Sequence, residues 1–164
     1  TAAALRILNE KIKNRELVKK YLCILTKRPP KSHDTLTHYL EKLPAGNRVV
    51  LYPSPHPNAR TAVTEYRVLR QEGDLTLAEI NLKTGRTHQI RAHMAYIGCP
   101  LLGDGKYGSN TVNKQYGVKQ QALCSYYLKF AFREDGGELD YLNGKAFTVD
   151  HIWFCDRFFP KQKK

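Results

Sequence analysis

Apolar and polar positions recur along this chain with two different periods, and the switches between them outline its elements. Between Ala2 and about Asn14 the residues Leu5, Leu8 and Ile12 form one apolar stripe, with Arg6, Lys11 and Lys13 elsewhere, which predicts an amphipathic helix. Leu17 to Thr26 is rich in β-branched and aromatic residues and reads as a strand carrying Lys19-Lys20-Tyr21. From Thr61 to Arg70, Thr64, Tyr66 and Val68 alternate with Val63, Arg67 and Leu69, the two-residue period of another strand. Glu72-Gly73-Asp74 supplies a turn, and Leu75 to Leu82 returns as the hairpin partner.

After a break at Lys83-Thr84-Gly85 the period changes. Ile90, Met94 and Ile97 predict a helix from about Thr87 to Ile97, and Gly98 followed by Pro100 predicts its stop. A glycine-rich loop then covers Leu101 to Asn110, and Ala122 to Phe132 reads as a strand. Asp135-Gly136-Gly137 forms a turn, and a short strand and a terminal helix with Trp153 and Phe154 finish the chain. Lys27 to about Asn58 holds six of the eight prolines and reads as a long irregular excursion, with short strands around Val49–Tyr52. Strands dominate and helices are inserted between them, so the expected class is α+β with a largely antiparallel sheet. No internal repeat or linker divides the chain, which reads as one domain or most of one.

Composition narrows the class of partner. Hydrophobic residues are 41% of 164, enough for a sizeable core. Lys and Arg number 27 against 15 Asp and Glu, a formal charge of +12, which favours a polyanionic partner. Part of the excess is a tail, Lys161, Lys163 and Lys164, expected to be solvated. No apolar run reaches the roughly 18 residues of a membrane span, and no segment joins a basic face to an apolar one over several turns, so nucleic acid is preferred to a membrane. Cys23, Cys99, Cys124 and Cys155 are far apart with no C-x-x-C, which argues against a disulfide framework or zinc site and fits a reducing, cytoplasmic setting. His88 and His93 sit about 140° apart around a helix, so they do not form a metal face.

The densest chemistry is Thr84-Gly85-Arg86-Thr87-His88-Gln89-Ile90-Arg91, at the join of a strand end and a helix start. Gly85 can take backbone shapes that other residues resist. The first helical turn offers unpaired N–H groups, Arg86 and Arg91 add fixed charge, and His88 and Arg91 can project toward one surface. Such a group can hold a phosphate, a carboxylate or both, or be no more than a solvated basic helix start.

The block from Leu82 to Gly108 continues through Ala92-His93-Met94 and Gly98-Cys99-Pro100 to Gly103-Asp104-Gly105-Lys106-Tyr107-Gly108. It resembles the central motif of the RluA-type pseudouridine synthases. Lys19-Lys20-Tyr21, Ala62 to Leu69, and Gln121-Ala122-Leu123 with Ser125-Tyr126 resemble further family motifs, in order, over roughly residues 1 to 135. The resemblance implies an RNA-modifying isomerase that converts uridine to pseudouridine in ribosomal or transfer RNA without cofactor or metal. It implies catalytic roles for Tyr21, which stacks on the uracil, Arg91, which pairs with the nucleophilic aspartate, and Leu123, which packs beneath the base. Lys19, Lys20, Lys83, Arg86, His88 and Lys106 become candidate RNA contacts, and a monomer is expected.

The sequence departs from the family in one respect that governs the rest. The family's nucleophile lies in a His-Arg-Leu-Asp motif followed by Thr-Ser-Gly, and these 164 residues hold no such motif. The resemblance therefore places the aspartate upstream of Thr1. The expectation is a partial catalytic domain, inactive alone, with a non-catalytic RNA-binding fragment as the alternative. Asp104 reads as a structural turn residue rather than a substitute nucleophile. Cys99 and Cys124 stand where the family usually has histidine, which suggests packing positions. A basic nuclease using His33 and His88 has no acidic metal cluster to support it.

Overall fold

A computed structural model describes Thr1–Pro160, and the basic tail Lys161, Lys163 and Lys164 lies outside the described residues. Helices α1 (Ala2–Lys13), α2 (Gln89–Tyr96), α3 (Asn110–Gln115) and α4 (Trp153–Phe158) accompany seven strands. These are β1 (Leu17–Leu25), β2 (His33–Lys42), β3 (Val49–Tyr52), β4 (Arg60–Glu72), β5 (Leu75–Leu82), β6 (Leu123–Phe130) and β7 (Ala146–Thr148). The strands join in one sheet, in the order β3-β2-β4-β5-β1-β6-β7, and the pairs β2/β3, β2/β4, β4/β5 and β6/β7 are antiparallel. The α+β class and the predicted hairpin β4/β5 are as the sequence implies. The described residues group into two compact units, one of Thr1–Lys20 with Ser125–Asp150, the other of Tyr21–Cys124 with the residues from His151 on.

In the first unit α1 turns a face to its neighbours other than the expected stripe. Leu5 and Ile12 are 60% and 43% exposed, whereas Lys11 is 5% exposed. The cause lies at the helix end. Arg15 takes a left-handed φ of 58°, its N–H donates to the Ile12 carbonyl, and the N–H of Glu16 donates to the Lys11 carbonyl. This Schellman turn returns Glu16 beneath the last helical turn. Lys11 Nζ then lies 3.0 Å from Glu16 Oε2, donates to the Glu134 carbonyl at 3.0 Å, and sits 5.0 Å above the Phe132 ring. A lysine is buried here because its ammonium meets a carboxylate, a carbonyl and the face of an aromatic ring.

The second unit carries the larger core. Cys23 and Leu25 of β1, Leu36 of β2, Tyr66 of β4, Ala78 and Ile80 of β5, and Ile90 and Met94 of α2 form one buried cluster with Cys99 and Leu101. The helix α2 stops as its sequence requires: Gly98 has φ 79°, its N–H donates to the Ala95 carbonyl, and that of Cys99 donates to the Met94 carbonyl.

The region read as an irregular excursion is instead mostly sheet. The ten-residue β2 pairs with both β3 and β4, for example Leu40 with Leu51 and with Arg60. Its prolines misdirect because they flank the strands: Pro29 and Pro30 precede β2, Pro44 lies in the turn, and Pro53 follows β3. The two-residue period is present as Leu36, His38 and Leu40, but a histidine in the middle of an inward face hides it.

Candidate active site

The motif around α2 is built first of all by Gln89, whose side chain is 2% exposed. Its Oε1 accepts from the Thr84 hydroxyl at 2.8 Å and the Arg86 N–H at 3.0 Å, and its Nε2 donates to the Val63 carbonyl at 3.0 Å and Thr64 Oγ1 at 2.9 Å. The Val63 N–H donates in turn to Thr84 Oγ1. One amide thus uses its whole hydrogen-bonding capacity to seal the break after β5 against β4, and it fixes where α2 begins.

The unusual backbone lies at His88 and not at Gly85. His88 has φ 52° as the residue before α2, whereas Gly85 has no positive φ. A Cβ added at Gly85 meets nothing within 4 Å. Gly85→Ala is accordingly expected to change the unfolding free energy by less than about 0.5 kcal/mol, as read from urea titration.

One turn along, His93 is wholly buried and faces β4 and β2. Thr64 Oγ1 lies 2.7 Å from its Nδ1, and His38 Nδ1 lies 3.1 Å from its Nε2. Burial, with His38 beside it, pushes His93 down to about 4, and burial lowers His38 as well. His93 is therefore a neutral core residue, in line with its expected separation from the face of His88.

Arg91 projects toward the loop beyond α2. Its Nε and Nη2 donate to the two carboxylate oxygens of Asp104 at 2.7 and 2.9 Å, a bidentate pair in which Asp104 has no exposure and Arg91 is 14% exposed. Asp104 Oδ1 also accepts from the Lys106 and Tyr107 N–H groups at 2.9 and 3.0 Å, which gives the turn role expected of it. Burial alone pushes the Asp104 carboxyl up. The Arg91 guanidinium and the two amides outweigh it and hold the group below its usual range, while Asp104 raises Arg91. The Tyr107 ring lies 5.2 Å from the Arg91 guanidinium carbon and 5.6 Å from that of Arg48. Its hydroxyl accepts from the Val49 N–H at 3.0 Å and sits 2.9 Å from His88 Nδ1. His88 and Arg91 thus meet at one aromatic ring, as their spacing allows. Burial lowers His88, and the charges of Arg91 and Lys106 lower it further.

The remaining candidates differ in how much charge they have to offer. Lys106 Nζ donates to the Gly46 and Asn47 carbonyls at 3.0 and 2.8 Å, and Arg48 donates to the Lys106 carbonyl, so this lysine ties the turn between β2 and β3 to the loop after α2. Lys83 Nζ lies 3.3 Å from Glu65. Arg86 is exposed, and its Nε donates to the Thr61 carbonyl at 3.4 Å. Lys19 is exposed and Lys20 half-buried on β1, with Lys20 Nζ 5.7 Å from the Tyr127 ring. Tyr21 and Leu123 are half-buried and pack against the core cluster that includes Ile90 and Met94 of α2. The nuclease pairing has no counterpart: exposed His33 contacts Ser32, and His88 contacts Tyr107. Cys99 is buried in the core and Cys124 is half-buried, and burial raises both thiols.

Sequence reasoning passed over the groups that hold this site. Tyr107, Asp104 as the partner of Arg91, and His38 and Thr64 as partners of His93 carry no mutual spacing signal, because each pair closes across separate elements. Only the Gly103–Gly108 part of the motif pointed to the loop.

Residues 1–96 match the RNA pseudouridylate synthase family. A protein of Chloroflexus aurantiacus, described as an uncharacterized RNA pseudouridine synthase, is 38% identical over 133 residues, which are 81% of this chain and 40% of that protein. The ribosomal large subunit pseudouridine synthase D of Blochmanniella floridana is 44% identical over 79 residues, 48% of this chain and 25% of its own length. The chain therefore spans between a quarter and two fifths of these relatives. Among solved structures, human RNA pseudouridylate synthase domain containing 1 superposes with a TM-score of 0.72 at 22% identity, covering 94% of this chain and 61% of that one, and so shares the fold. With its motif, its fold and the match over residues 1–96 in agreement, this chain belongs to the RNA pseudouridylate synthase family, in its RluA-type branch.

Proposed function

We propose that this chain is part of an RNA-modifying isomerase that converts uridine to pseudouridine in ribosomal or transfer RNA, with its nucleophilic aspartate on chain outside these 164 residues. The observation that carries the reading is the fixed guanidinium of Arg91. It sits on a helix whose buried face shares one core with Tyr21 and Leu123. The reaction breaks the N1–C1′ bond of uridine, turns the base, and forms a C5–C1′ bond. The proton leaves C5 and N1 is protonated, so atoms and electrons balance without a cofactor. The target must leave its stack before either bond can be reached. In this reading Tyr21 stacks on the extracted uracil and its hydroxyl assists proton transfer, and Leu123 supports the base from below. Arg91 keeps the incoming aspartate ionised and aimed. Lys83, Arg86, His88 and Lys106 in the second unit, and Lys19 and Lys20 in the first, are each candidate contacts to RNA phosphates, with exposed Arg86 and exposed Lys19 the best placed in their own units.

The test is release of tritium from RNA labelled at uridine C5. The full encoded chain is expected to release it on ribosomal or transfer RNA, and residues 1–164 alone are expected to release none. Release by the 164-residue piece overturns the location of the nucleophile. RNA binding by the full chain without release favours the non-catalytic reading.

A further inference from the structure

Three contacts from two residues determine where the Arg91 guanidinium can be, and neither residue lies on its own helix. Both Asp104 oxygens take its Nε and Nη2, and the Tyr107 ring lies 5.2 Å from its central carbon. Nη1 takes no part in the carboxylate pair. Asp104 is held by the amides of Lys106 and Tyr107, so the carboxylate cannot swing with the arginine. Tyr107 is held at its hydroxyl by the Val49 N–H and by His88. The backbone between them is clasped to the β2–β3 turn by Arg48 and Lys106. A surface arginine needs no such frame. An arginine that must meet a carboxylate in one geometry does, because a misplacement of about 1 Å can cost about a hundredfold in rate.

We infer that Asp104 and Tyr107 are positioning residues for Arg91 in the isomerisation, acting through its guanidinium and touching neither RNA nor base. The inference rests on the proposed function above and adds to it the loop after α2 as the part that orients the catalytic arginine. The bidentate pair sets the plane of the guanidinium, and the ring blocks its rotation out of that plane.

The experiment is steady-state tritium release by the full chain with Tyr107→Leu and Tyr107→Phe, alongside thermal melting of each. Tyr107→Leu is expected to lower kcat by about tenfold to a hundredfold while KM for RNA stays within about twofold. Tyr107→Phe keeps the ring over Arg91 and is expected to recover most of that loss. An unchanged kcat below the melting transition overturns the inference, because a purely structural role moves only the melting temperature. A raised KM at unchanged kcat overturns it too, since that places Tyr107 in RNA binding. Should Tyr107→Leu not fold, Asp104→Asn decides: Oδ1 still accepts the loop amides but the charge facing Arg91 is gone. A drop in kcat of about tenfold or more is expected there, and a kcat within about twofold of wild type rejects the idea. Failure of the unaltered full chain to release tritium defeats the proposed function itself, separately from these variants.

Discussion

Asp104→Asn is expected to lower the unfolding free energy of the full chain by about 3 kcal/mol, which leaves it folded at 25 °C if its stability is ordinary. Asp104 has no exposure and Arg91 has little, so removing the carboxylate charge leaves a largely desolvated guanidinium without its counter-ion. The value lies at the lower end of the range for broken buried pairs for two reasons. Arg91 keeps an edge to solvent, and an Asn Oδ1 still accepts the amides of Lys106 and Tyr107. A double-mutant cycle separates the pair from its surroundings. Arg91→Met combined with Asp104→Asn is expected to cost clearly less than the sum of the two single changes, because the second substitution removes the charge that the first left unpaired. Urea unfolding of the four proteins reads the coupling, and additive costs would mean that the pair is not the source of the loss. The pH window follows from the sign of the shift. A carboxylate held below its usual range stabilises above about pH 4, and that contribution is lost as pH falls through its lowered value.

A second loss sets in earlier on the acid side. Between pH 7 and pH 4 the fold is expected to lose about 3 kcal/mol through His93 alone, a little under the product of its displacement from 6.5 to about 4 and about 1.4 kcal/mol per unit, because the folded ring is half protonated at pH 4. Above pH 6.5 the ring is neutral in both the folded and the unfolded chain, so it adds no pH dependence. Below 6.5 the unfolded chain binds a proton that the folded chain refuses until about pH 4, so stability falls with pH across that interval. His38 and His88 are lowered as well and act in the same direction. Urea unfolding at pH 7.0 and 4.5 measures the slope. His93→Gln, which keeps a polar group facing Thr64, is expected to flatten it while costing stability at pH 7. An equal slope in wild type and variant would assign the acid loss to other groups.

The two effects show how the α2 motif divides its labour. Of its polar residues, Gln89 and His93 are consumed in closing the helix onto β4 and β2, and Arg91 is consumed in part by Asp104. Among its charged side chains Arg86 and Lys83 are exposed, and Lys83 is paired with Glu65. A motif dense in polar residues thus spends most of them on holding a backbone and one guanidinium in place. The same holds for Lys106, whose ammonium serves the clasp between two loops.

The limits of sequence reading follow the same division. Elements whose signal is local were legible: the β4/β5 hairpin around Gly73, the start of α2 after Thr84, and its stop at Gly98. Features that depend on a partner far along the chain were not. β2 hid because His38 interrupts its apolar face, and that histidine is explained only by His93, 55 residues away. The face that α1 buries is not marked by Leu5, Leu8 and Ile12, because nothing in those residues announces that Glu16 and Glu134 meet Lys11.

By itself the sequence determined the family and the α+β class. Those rest on residue type at fixed spacing, and spacing along a helix or strand is set by backbone geometry alone. Only the tertiary structure decided that Arg91 is paired, that Asp104 and Tyr107 hold it, and that His93 stays neutral. Those rest on distance through space and on removal of water, which fix the energy of a charge and which no order of residues states.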